Sequence, residues 1–85
     1  MEEVKEKLIG RVTHYFPKVE AAIIKLEDNL QIGDRVKFKR DDQEFEQNVE
    51  SMQIDHKDIQ KAKKGQEIGV KVDQKVKEGW EVYKV

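Results

Sequence analysis

The chain has no cysteine, an absence that removes disulfides, thiolate-ligated zinc and thiol nucleophiles together. It fits a reducing compartment, and the cytoplasm is the expected location. Long apolar runs are also missing: the longest is Ala21 to Ile24, too short for a membrane-spanning helix or a signal-peptide core. No membrane association is expected. Arginine is scarce, with Arg11, Arg35 and Arg40 the only three among 17 basic residues, and 18 acidic residues bring the net charge to −1. Nucleic-acid affinity comes from neutralised phosphates, and arginine supplies the bidentate and stacking contacts. A near-neutral, lysine-rich chain must therefore bind RNA through a local patch or not at all.

Eighty-five residues make one domain, which can bury only ~60–65% of the unfolded chain's surface around a single modest core. Residues 1–7 are charged around Val4 and read as a flexible lead-in, leaving residues 8–85 as the folded unit. No repeat or low-complexity tract interrupts it.

Apolar alternation of period two then recurs along the chain. Leu8 to Thr13 reads as a first strand, in which Gly10 permits a bend or close backbone approach. His14 to Lys18 is a break centred on Pro17, which cannot donate to a ladder. Val19 to Leu26 reads as a second strand, apolar on both faces and so central. Gly33 and Asp34 make a turn feeding the alternation of Val36 and Phe38, with Lys37 and Lys39 outward. A polar tip at Arg40 to Glu44 leads to the strand of Phe45 and Val49. A one-residue slip in phase before Met52 and Ile54 predicts a β-bulge. A polar excursion follows, with room for one helical turn, then a turn at Gly65 and the strand Ile68 to Val72, interrupted by Gly69. A polar turn around Val76 precedes the closing strand Trp80 to Val85. The expected class is all-β: a small six-stranded closed barrel with at most a single helical turn, because closure removes exposed strand edges.

In order, Gly10-x-Val12, Leu30-x-x-Gly33-Asp34-x-Val36, Val49-x-Ser51 and Ala62-x-x-Gly65-x-x-Ile68-Gly69 resemble domain II of translational GTPases such as elongation factor Tu, over roughly residues 8 to 72. Thr13 to Lys18, Phe45 to Gln53 and the Val-Tyr-Lys-Val end look closer still to two groups, the C-terminal barrel of the collagenase-like peptidases and small stand-alone elongation-factor-like proteins. The resemblance implies the domain II type of barrel, with Gly10, Gly33, Asp34, Gly65 and Gly69 as its structural turns. The chain has no Gly-x-x-x-x-Gly-Lys-Ser/Thr loop, so nucleotide hydrolysis is not carried over, and no peptidase domain.

No catalytic, metal or cofactor site is expected. His14 and His56 lie far apart without a cysteine or a third histidine, where a metal would need at least three converging ligands. Ser51, the sole serine, has no evident base beside it in sequence. Asp55 to Asp58 reads as a turn cap. The candidate binding residues are lysines: Lys57, Lys61, Lys63 and Lys64 against a single Asp58, the outward Lys37 and Lys39, and Lys71. Asp41, Asp42, Glu44, Glu46 and Glu50 form an opposing acidic stretch, so a polarised surface competes with plainly solvated loops. Trp80 and Tyr83 could stack on a base, although aromatics on a closing strand more often belong to the core.

Two functions follow. The first is a non-catalytic, translation-factor-like module contacting transfer RNA or the ribosome through those lysines. The alternative is a protein-interaction barrel acting as a separate accessory domain for a peptidase or other enzyme, with apolar contacts around Tyr15, Phe16 and Trp80. Neither reading makes the chain an enzyme.

Overall fold

The computed structural model describes residues 7–85, so most of the expected lead-in lies outside the described residues. Lys7 already opens the first strand. The described residues form ten strands and no helix: β1 (Lys7–Phe16), β2 (Ala21–Leu26), β3 (Leu30–Gln31), β4 (Arg35–Arg40), β5 (Gln43–Asn48), β6 (Met52–Ile54), β7 (Lys57–Ile59), β8 (Lys61–Ala62), β9 (Glu67–Lys71) and β10 (Glu81–Lys84). Eight of them hydrogen-bond in the order β5-β4-β10-β1-β2-β9-β6-β7, and β3 and β8 form a separate ribbon.

The all-β class stands; the six-stranded closed barrel does not. The ladder ends at β5 on one side and β7 on the other, with no backbone pairing between them. The physical reason lies at Val49 to Ser51. There the chain leaves one end of the sheet and crosses to the other, so the slip in apolar phase is a break between two strands and not a bulge. The true register shifts are both in β1, between Leu8 and Gly10 and between Val12 and His14. They let a ten-residue strand pair with β10 near its start and with β2 along most of its length. β1 also runs through the expected break as far as Phe16, and the turn holding Pro17 follows it.

Alternation fixes which face is inside. Ala22, Ile24 and Leu26 of β2, Val36 and Phe38 of β4, Ile68 and Val70 of β9 and Val82 of β10 are all buried and share one cluster with Leu30 and Ala62 of the ribbon. Burying such side chains contributes roughly 1.5–3 kcal/mol each, the dominant favourable term in a domain this small. Phe38 stacks on Phe45 with centroids 5.1 Å apart, and Phe45 meets Trp80 at 6.2 Å. Trp80 is only 6% exposed, so it belongs to this aromatic core and is closed to a base or a partner.

The polar excursion after Ile54 holds a hairpin in place of a helical turn. Asp55 and His56 both have positive φ, the pattern of a two-residue type I′ loop, and they join β6 to β7 with Ile54 opposite Lys57. Gly65 (φ +92°) turns the chain back, its N–H donating to the Leu26 carbonyl at 2.9 Å. Gly33 (φ +97°) donates to the Val49 carbonyl, while the Asp34 carboxylate accepts from the Gln31 N–H at 3.0 Å. Gly10 and Gly69 lie within strands and are not turns. At Gly10 an added Cβ would fall 2.7 Å from the Lys25 carbonyl oxygen, so its role is close approach. No helix among the described residues is long and apolar enough to cross a membrane.

Candidate partner-binding groove

The solvent side of the sheet carries one feature that the core does not require. Alternation turns Ala21 and Ile23 of β2 and Glu67, Gly69 and Lys71 of β9 away from the core, with Gln53 of β6 beside them. In register, Ala21 faces Lys71, Ile23 faces Gly69 and Gly69 faces Gln53. Because Gly69 has no side chain, the middle of this face is a depression, and it opens into a groove of about 820 Å³. Phe16 at the end of β1 and Lys18 and Val19 from the turn after it line one side, and Ser51, Asp55 and His56 line the other.

Phe16 is 47% exposed and Val19 63% exposed, the two most exposed large apolar side chains among the described residues. Both stand at this groove. Solvating them costs the folded state burial that they would gain against an apolar partner, so a paired apolar wall above an apolar floor is the signature of a contact surface. Glu20, Asp55 and His56, three of the four non-glycine residues with positive φ, lie in or directly beside the groove walls. Each turn is tied to its surroundings by a hydrogen bond: the Glu20 carbonyl accepts from the Val72 N–H at 2.9 Å, and Gln53 donates to Asp58 at 2.9 Å across the β6–β7 hairpin.

The lysines singled out in the sequence fall on several elements: Lys37 and Lys39 on β4, Lys57 on β7, Lys61 on β8, Lys71 on β9, and Lys63 and Lys64 just before Gly65. Lys37 and Lys39 project from β4 between two acidic neighbours: Lys37 lies opposite Glu46 and 3.6 Å from the Glu44 carboxylate, and Lys39 lies between Glu44 and Glu81. Much of their charge is met within the sheet. Lys61 and Lys63 border a shallow hollow of about 260 Å³ at the β3–β8 ribbon, shared with Lys84, whose ammonium pairs with Asp34 at 3.3 Å. Lys64 sits in the Gly65 turn and Lys57 begins β7. Only Lys71 reaches the groove.

Ser51, Asp55 and His56 line the same groove, but the register sets Ser51 toward its Lys71 end and Asp55 toward its Glu67 end, and no hydrogen bond joins them. Asp55 and His56 occupy successive positions of one tight turn, and the serine has no base engaged with it. No group of three His, Cys, Asp or Glu that could hold a metal occurs among the described residues. His14 instead bonds Glu78 at 3.2 Å on the exposed end of β1. The one resolved pKa shift also lies away from the groove. The Lys7 ammonium, hydrogen-bonded to Asp28, and the Asn29 backbone N–H hold the Asp28 carboxyl below its usual range.

Sequence reasoning missed the groove, although part of its signal was legible. The run Ala21 to Ile24 reads as apolar on both faces and therefore central, and β2 is central, lying between β1 and β9. What the run does not show is that its outer face, Ala21 and Ile23, forms the floor of an open groove.

Comparison with known proteins points in one direction. The chain is 45% identical over 76 residues to an uncharacterized protease of Methanocaldococcus jannaschii; the match takes in 88% of this chain and 19% of that protein. This chain thus spans about a fifth of the relative's length. Among solved structures, the C-terminal domain of a putative U32 peptidase of Geobacillus thermoleovorans superposes with a TM-score of 0.86 at 21% identity, covering 93% of this chain and 92% of that one. Its selenomethionine variant gives 0.84 at 22% identity, covering 89% and 96%. The fold is therefore that of a peptidase C-terminal domain, as the second resemblance implied. No protein-family profile matches the chain. The likeness to elongation factors gains no support from these relatives.

Proposed function

We propose that this chain is a non-catalytic accessory module that docks a peptidase or its substrate through the groove on the outer face of β2, β9 and β6. The observation that carries the reading is the exposure of Phe16 and Val19 over the floor of Ala21, Ile23 and Gly69. Two further findings support it: a relative named as a protease, and neighbours in structure that are appended to a putative peptidase. The acidic neighbours of Lys37 and Lys39 favour it over RNA binding, which needs phosphate-neutralising charge left free on one track.

Sedimentation of the chain with the catalytic domain of a U32 peptidase lacking its own C-terminal domain tests the reading. A one-to-one complex that survives added salt is expected, since apolar contact is not screened. Absence of a complex, together with transfer RNA binding that falls steeply with salt, would reverse the choice.

A further inference from the structure

The charges at the two ends of the groove differ in sign, and the register of the sheet sets the distance between them. Ala21 faces Lys71 at one end, Ile23 faces Gly69 in the middle, and Lys25 faces Glu67 at the other. Lys18 lies with Lys71 at the first end, and Asp55 lies with Glu67 at the second; all four line the groove. Each step between these rows is two residues of strand, so the basic and acidic ends are about 13 Å apart with the apolar notch midway.

From this spacing we infer that the groove takes an extended polypeptide segment of a protein partner with the pattern acidic-x-apolar-x-basic, in either chain direction. An extended segment advances at the same ~3.3 Å per residue as the strands beneath it. Side chains two apart then project to the same side, so the acidic residue meets Lys18 and Lys71, the apolar one enters the notch over Gly69 against Ile23, and the basic one meets Glu67 and Asp55. Phe16 and Val19 cover the apolar side chain from the flank. None of the four charged residues is engaged in an ion pair within the chain. Lys18, Lys71 and Asp55 are therefore available to an incoming segment, while Glu67 lies opposite Lys25, which stands outside the groove, and shares its charge with it. This deepens the docking reading by naming what the groove selects.

The test uses isotope-labelled chain and the synthetic peptide acetyl-Ser-Glu-Ser-Leu-Ser-Lys-Ser-amide, followed by amide chemical shifts. Shifts are expected at Ile23, Gln53, Gly69 and Lys71, with none at the Lys61–Lys63 hollow. Replacing both charged peptide residues with glutamine should weaken binding by about five- to twentyfold, as two partly exposed pairs are lost. Replacing the peptide leucine with serine should abolish the shifts. On the protein, Gly69→Val fills the notch and Lys71→Glu reverses one end; both lie on the solvent face, and unchanged core resonances verify the fold. Binding indifferent to the peptide's charges, shifts centred elsewhere, or no binding at all would overturn the inference. A complex with the peptidase catalytic domain that leaves the groove resonances unmoved would also sink it while leaving the accessory role intact.

Discussion

Gln47 and Asp73 meet where backbone pairing stops. The Asp73 N–H donates to Gln47 Oε1 at 2.8 Å, and Gln47 Nε2 donates to the Lys71 carbonyl at 2.7 Å. Gln47 is the one buried polar residue among the described residues, and it ties β5, at the end of the ladder, to the segment that follows β9. One side chain there links β5 to the end of β9, a strand with which β5 shares no ladder.

Gln47→Leu should therefore be costly. It strands a carbonyl and an N–H, for a loss of about 2–4 kcal/mol, or roughly 10–20 °C in Tm for a domain of this size. Thermal denaturation followed by circular dichroism checks it; a loss under about 0.5 kcal/mol would mean water replaces the clamp without penalty.

The glycines should rank by what surrounds them. Gly10→Ala places a methyl 2.7 Å from the Lys25 carbonyl and 2.8 Å from Ile24 Cγ2, and should cost about 1–3 kcal/mol. Gly33→Ala meets nothing within 4 Å but must hold φ near +97°, for about 1–2 kcal/mol. Gly69→Ala makes ordinary contact with Ile23 at 3.5 Å and should be neutral or stabilising by up to about 1 kcal/mol. Urea denaturation of the three variants tests the order.

The pairing of Lys7 with Asp28 sets a pH dependence of definite sign. Asp28 has a folded pKa below its ordinary value, chiefly through the Lys7 hydrogen bond. Its contribution is thus complete above the unfolded carboxylate pKa of about 3.9 and disappears as pH falls through the lower folded value. In a carboxyl-detected titration, Lys7→Met should raise the Asp28 pKa toward the ordinary range, and added salt should do so partly. An unchanged value would remove Lys7 as the cause.

The single tryptophan offers a direct check of the core. With Trp80 buried against Phe45, its emission should be blue-shifted and resist iodide quenching until the chain unfolds. Emission already at the solvent-exposed maximum in the native state would contradict its place there.

Much of the strand content was legible because a one-sided core enforces alternation: Val36 and Phe38, Ile68 and Val70, and Val82 are buried as their spacing implies. Closure was not legible, because it depends on which strands meet across the chain, and a phase slip at Val49 reads equally as a bulge or as a departure from the sheet. The Asp55–His56 loop was hidden for a different reason, since neither residue is the glycine or asparagine that usually marks a positive-φ hairpin turn. The groove was obscured by its own composition. Outward apolar residues at Ala21 and Ile23 look the same in sequence whether another layer covers them or solvent does. The lysines drew attention by number, yet only the register shows that Lys37 and Lys39 are flanked by glutamates.

The most direct measurement is an amide-shift titration of the chain with the catalytic domain of a U32 peptidase, run beside one with transfer RNA at low salt. The account predicts perturbations from the protein gathered at Val19, Ile23, Gln53 and Gly69, and none from the RNA. Perturbations from RNA alone, centred on Lys61 to Lys64, would contradict it.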